Sequence, residues 1–98
     1  MAATSEEAGI DGAVRGALRE ALGLDAARVA AFDATTPLFG SLPELDSMAV
    51  AGLLTELEDR LGILIEDDEI DGEMLASFGS LLAFAQAKAL HRGTGKRA

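Results

Sequence analysis

Apolar residues recur along this chain at helical rather than strand spacing. Ile10, Val14, Leu18 and Leu22, with Ala17 and Ala21 beside them, predict an amphipathic helix over Ser5–Leu22. Thr4 and Glu7 stand in the register of a capping box ahead of it, and Gly23 follows as a stop. In a second segment, Val50, Leu53, Leu54, Leu57 and Leu61 fall within about 100° of helical arc. They predict a helix over Ser47–Leu61 with that stripe buried, ended by Gly62. Ile63, Leu64 and Ile65 lead into an acidic run, and a short helical turn is expected from about Asp67 to Leu75, with Ile70, Met74 and Leu75 inward. Ser77 reads as the cap of a last helix whose stripe is Phe78, Leu81, Leu82, Ala85 and Ala89. His91 to Ala98 lacks periodicity and is expected to be a frayed tail.

Between the first two helices, Gly23 to Asp46 shows no period of its own. Loops of this length are uncommon in compact domains and are often functional. Leu24, Val29, Phe32, Leu38, Phe39 and Leu42 predict that it packs on the helices. No strand alternation or internal repeat is present. The pattern therefore predicts an all-α four-helix bundle with three longer helices, one short helix and a long first loop. It is read as a single domain over 1–98, with a core at about 5–90 and a flexible tail over 91–98.

Composition narrows the chemistry. The 98 residues contain 8 Lys+Arg, 17 Asp+Glu, one His and no Cys. Disulfides, thiolate nucleophiles and Cys-ligated zinc are excluded. A net charge of −9 opposes a grip on nucleic acid, which needs clustered cations. It also favours a monomer. No apolar stretch approaches the roughly 20 residues that cross a bilayer. Neither a basic region nor an apolar run of the kind that directs export opens the chain, so a cytoplasmic location is expected. The imbalance sits in one segment: Glu44 to Glu73 carries 11 acids against Arg60 alone. Such a field draws basic surfaces and speeds encounter with them.

Asp46 and Ser47 stand where the long loop enters the second helix. Either side chain can cap that helix. Alternatively, a serine exposed at a helix start is reachable by another enzyme, and the free N–H groups there tolerate a phosphate. Ser47 is a poor catalytic nucleophile. The only His is His91, in the expected tail, and no Gly-x-Ser-x-Gly elbow surrounds the serine. Asp67, Glu69, Asp71 and Gly72 match the first half of a calcium loop, but the final ligand position holds Phe78. Weak divalent binding at Asp67, Asp68, Glu69 and Asp71 is the remaining expectation for metals. On the exposed side of the second helix, Met48, Ala51, Gly52 and Thr55 are rimmed by Glu56, Glu58 and Asp59, an apolar centre with a charged edge that suits transient docking.

Several features in register resemble the acyl carrier proteins. They are the first amphipathic helix, a loop with Thr36-Pro37-Leu38-Phe39-Gly40, then Leu45-Asp46-Ser47-Met48. Leu57-Glu58-Asp59-Arg60-Leu61-Gly62-Ile63 with Ile65, Asp67-Asp68-Glu69-Ile70, and a last helix from Ser77 complete the likeness, which covers about Ser5 to Leu90. The resemblance implies a carrier that is not itself an enzyme. A phosphopantetheinyl transferase, using magnesium, joins 4′-phosphopantetheine from coenzyme A to the serine of the Asp-Ser motif, here Ser47. Asp46 helps present the site. The thiol of the arm then holds an acyl group as a thioester, which supplies the sulfur that a Cys-free chain lacks. Acyl-loading and acyl-processing enzymes with basic docking patches would be its partners, meeting Met48, Ala51, Thr55, Glu56, Glu58 and Asp59. In many members the acyl chain slips between helices, and Leu53, Leu57, Leu61, Phe78 and Leu82 are the candidates to line that space.

Two departures bear on the pathway. Leu45 and Met48 flank Asp46-Ser47, where the family usually has a small residue and Leu. Met48 to Thr55 contains no acid, and negative charge begins only at Glu56. Both suggest a specialised carrier rather than a general fatty-acid one. The alternatives are a peptidyl or aminoacyl carrier, or a carrier-like acidic interaction module without a prosthetic group.

Overall fold

A computed structural model describes the backbone over residues 5–95 and the side chains over 9–90. Helix α1 spans Ser5–Leu22, α2 Ala26–Ala30, α3 Ser47–Leu61 and α4 Phe78–Gly95. A 3-10 turn at Asp67–Glu69 lies between α3 and α4. The described chain is an all-α bundle in which α1 packs against each of the other α-helices, most extensively α3.

Periodicity dictates the core. Val14, Ala17 and Leu18 of α1, Leu53 and Leu57 of α3, and Leu81 and Ala85 of α4 have no exposed surface. Sealing a Leu or Phe side chain in this way contributes roughly 1.5–3 kcal/mol. No polar or charged side chain is buried among the described residues. Val50, Leu54 and Leu82 sit at the edges of their stripes and are half-buried.

The short helix lies elsewhere than expected. It is α2, inside the long first connection, capped by Asp25, whose Oδ1 accepts from the Arg28 N–H at 2.8 Å. Five residues are too few to display a period, and an isolated helix of this length does not persist in water. Tertiary contacts hold it. Val29 is buried, and the Arg15 guanidinium donates to the Val29 carbonyl at 2.7 Å, within the last turn of α2. The same guanidinium donates to Asp11 at 2.6 Å and lies 4.5 Å from the Phe78 ring centroid. Arg15 thus ties α1, α2 and α4 together.

The helical turn expected over Asp67–Leu75 shrinks to the 3-10 turn and irregular turns after it. Helical stacking would bring Asp67, Asp68, Glu69, Asp71 and Glu73 closer together, and like charges one turn apart repel. Within the segment expected to be a tail, α4 continues through residues 91–95. Gly93 costs only about 1 kcal/mol inside a helix, Gly95 stands at its very end, and extending an existing helix is easier than starting one. Residues 96–98, and the Thr4–Glu7 capping box, lie outside the described residues.

The connection is fixed by backbone bonds to the start of α4. The Phe78 N–H donates to the Thr36 carbonyl at 2.8 Å and the Gly79 N–H to the Ala34 carbonyl at 3.0 Å. The Leu38 and Phe39 N–H groups donate to the Ala76 and Leu75 carbonyls, both at 2.9 Å. Ser77, as foreseen, caps α4 by accepting from the Ser80 N–H at 3.1 Å.

The close approach at Gly79 yields a prediction. A Cβ there would stand 2.6 Å from the Ala34 carbonyl oxygen, whereas one at Gly12 meets nothing within 4 Å. Gly79→Ala is expected to destabilise the fold by about 1–3 kcal/mol. Gly12→Ala, in mid-helix, should stabilise it by roughly 0.5–1 kcal/mol. Urea unfolding of both variants checks the pair.

A second prediction concerns pH. The Asp33 carboxyl is lowered by the Thr35 hydroxyl and N–H, Glu44 by Arg28, and Glu69 by the Glu66 N–H and then by Lys88. Each carboxyl releases its proton more readily folded than unfolded. Their stabilisation is therefore complete above the ordinary carboxylate range near pH ~4 and fades as pH falls through the depressed folded values. Urea midpoints should drop in that window, and Asp33→Asn should flatten the drop.

Candidate functional site

Three constraints converge where the connection enters α3. Leu45 is buried, its N–H donating to the Leu42 carbonyl at 3.0 Å, so the approach is anchored in the core. Glu44 pairs with Arg28 at 2.7 Å, which holds its carboxyl below the usual range and fastens the approach to α2. Asp46 is extended and caps α3, its Oδ1 accepting from the Ala49 N–H at 2.8 Å.

The cap bond belongs to Asp46, which answers the choice left open by the sequence. Ser47 is the first helical residue and is exposed. Its hydroxyl is not engaged in closing the helix. The first N–H groups of any helix lack intrahelical partners and carry the positive end of its dipole. Asp46 takes the Ala49 N–H, and no acid within the first turn of α3 competes for those of Ser47 and Met48. An anion carried on the Ser47 oxygen fits this setting, and a large group attached there would extend into solvent.

A cleft of about 300 Å³ opens beside the serine. Ser47, Phe39, Val50, Ile70, Asp71, Gly72 and Leu75 line it. None of the five residues expected to line a space between helices borders this cleft. Leu53, Leu57, Leu61 and Phe78 are buried in the core and Leu82 is half-buried. The stripes identify which residues face inward; the cleft instead forms at the margin, where Val50 meets the irregular segment after the 3-10 turn. Its one sequence signal was Phe39, an aromatic residue in a loop, now 47% exposed.

On α3, Met48 is 85% exposed, with Ala51, Thr55 and Asp59 also exposed. The acids of the expected docking rim are not equivalent. Glu56 pairs with Arg60 at 3.0 Å. Glu58 turns inward and accepts from the Ile65 N–H at 2.8 Å, bracing the chain after α3. Asp59 alone of the three is exposed.

The expected divalent site does not assemble. No group of three or more carboxylate or imidazole side chains converges among the described residues. Glu69 instead receives Lys88 Nζ at 2.9 and 3.0 Å, and Asp71 accepts from the Met74 N–H at 2.8 Å. No helix among the described residues is long and apolar enough to cross a membrane.

Comparison with known proteins agrees with this geometry. The family described as a phosphopantetheine attachment site matches residues 12–86. A solution NMR structure of a holo acyl carrier protein from Nitrosomonas europaea superposes with a TM-score of 0.74 at 36% identity, covering 84% of this chain and 96% of that one. No curated protein sequence matches the chain at a significant level. The chain belongs to the acyl carrier protein family, whose members are non-catalytic carriers of acyl groups on covalently attached phosphopantetheine.

Proposed function

We propose that Ser47 is the attachment point of 4′-phosphopantetheine and that the loaded chain presents acyl thioesters to a dedicated set of enzymes. One observation carries the assignment: the helix cap is Asp46, which leaves the adjoining Ser47 hydroxyl exposed at the start of α3 with no acid in the first turn. The other serines with described side chains are less suited. Ser77 and Ser80 are half-buried and hydrogen-bonded to each other, and Ser41 follows a glycine turn away from any helix start.

In the loading step an Oγ–P bond forms at Ser47 and the pyrophosphate bond of coenzyme A breaks. The adenosine bisphosphate half departs and the hydroxyl loses its proton. Carriers of this family act with a phosphopantetheinyl transferase and acyl-processing enzymes. The bound group supplies a thiol on a flexible arm; the protein raises the effective concentration of whatever that thiol holds. Asp46 keeps the start of α3 in place while the serine is approached. The N–H groups of the first turn offset the charge of the phosphodiester.

Partner contact is read from α3. Met48, Ala51 and Thr55 give an apolar, small-residue face that allows close approach, and Asp59 with the exposed acids after α3 gives the field. The absence of acid over Met48–Thr55 supports partners whose cations sit away from the serine, a specialised rather than a general fatty-acid set. Binding of this kind is brief and weakens with salt.

Incubating the protein with coenzyme A, magnesium and a broad-specificity transferase should add one phosphopantetheine by intact mass. Ser47→Ala should abolish the gain. A wild-type chain that gains nothing would favour the interaction module without prosthetic group, and a gain that survives Ser47→Ala would move the site to another serine.

Asp59→Lys should raise the apparent KM of a basic processing enzyme several-fold, the direction expected when a like charge faces a basic patch. Glu58→Gln, which keeps an acceptor for the Ile65 N–H, should leave that KM nearly unchanged. Steady-state kinetics on loaded carriers separates the two.

A further inference from the structure

The cleft beside Ser47 is apolar on most of its lining, with Phe39, Val50, Ile70 and Leu75. Besides the serine, its one polar side chain is Asp71. We propose that Asp71 makes this carrier selective for acyl groups that bear a hydrogen-bond donor, typified by a hydroxyl, over plain alkyl chains. The proposal rests on Ser47 as the attachment point.

The carboxylate is held in place. Asp71 Oδ1 accepts from the Met74 N–H at 2.8 Å, which fixes the side chain on its turn. No other donor among the described residues bonds to it. Lys88 does not serve it, because its Nζ is bound to both oxygens of Glu69. Gly72, next in sequence, contributes no side chain to the wall, and nothing lies within 4 Å of where its Cβ would stand. The second oxygen, Oδ2, receives no bond from any described donor, on an exposed residue that lines an otherwise largely apolar cleft.

Cargo seated in this cleft would lie against Asp71. An alkyl chain laid across it removes water and returns no hydrogen bond, which is unfavourable for a charged group. A hydroxyl replaces the lost water with a charge-assisted bond. Selectivity then arises chiefly from rejection of the chain that lacks a donor, as in sites built to bind a substrate hydroxyl.

The test loads the carrier from coenzyme A thioesters of hexanoate and of a set of hydroxyhexanoate isomers. Thioester cleavage by hydroxylamine is measured on the carrier and, for reference, on free pantetheine. At least one hydroxy isomer should be protected about tenfold more than hexanoyl, the factor expected of one charge-assisted hydrogen bond at an open site. Asp71→Asn keeps an acceptor for the Met74 N–H but turns the second atom into a donor. With the charge gone, hexanoyl protection should rise and the preference for the hydroxy isomer should shrink.

Equal protection of all cargoes on the wild-type carrier overturns the proposal and needs no variant to fold. A preference of undiminished size in Asp71→Asn overturns it as well. So does the finding that the arm without cargo shifts the Ile70 and Gly72 amide resonances as far as the hydroxyacyl form does, since the arm itself would then fill the cleft. Intact mass separates the two readings. Loading that persists in Ser47→Ala removes the attachment assignment and this proposal with it; loading at Ser47 without discrimination removes only the role of Asp71.

Discussion

The first N–H groups of α4 need acceptors, and the connection after α2 supplies them. A helix start leaves backbone donors without partners. At α4, Ser77 takes one, while the Thr36 and Ala34 carbonyls take those of Phe78 and Gly79. The return bonds from Leu38 and Phe39 to Ala76 and Leu75 complete a short pairing that lashes the connection across the bundle. That lashing sets the site. It brings Phe39 and Leu75 to one cleft, and it fixes where the chain turns through Leu42 to Leu45 before entering α3.

At α3 the same need is met differently, and the difference is functional. The cap is a side chain of the residue before the helix, so the next residue is left outward with its hydroxyl. Leu45 explains why the flanking residue is large here: it is the plug that roots the approach in the core. Leu45 inward, Asp46 on the helix end and Ser47 outward form three successive positions with three distinct tasks. The arrangement gives an attached group both an anchor and free space.

Much of the acidity has internal uses. Glu44 meets Arg28, Glu56 meets Arg60, Glu69 meets Lys88, and Glu58 and Asp71 accept backbone N–H groups. Exposed pairs of this kind contribute little each. Their larger effect is to leave the uncompensated field to Asp59, to Asp67 and Asp68 of the 3-10 turn, and to Asp71 and Glu73 after it, all exposed. A partner would then meet charge at the far end of α3 and apolar surface next to Ser47.

Period alone was enough to locate α1, α3 and the start of α4, because a stripe repeated over several turns buries only in one way. The Asp46-Ser47 pair and the exposed side of Met48 were likewise legible, since capping chemistry and helical phase are local. What the tertiary structure decided lies between those stripes. Helix α2 is held by Arg15 and by burial of Val29, contacts distant in sequence that five residues cannot announce. Nothing local chose Asp46 over Ser47 as the cap, or turned Glu58 inward. The cleft belongs to Phe39, Val50, Ile70 and Leu75 rather than to the central leucines, because a space opens where packed elements stop fitting one another. That mismatch is a property of the assembled bundle, and no single segment of the sequence contains it.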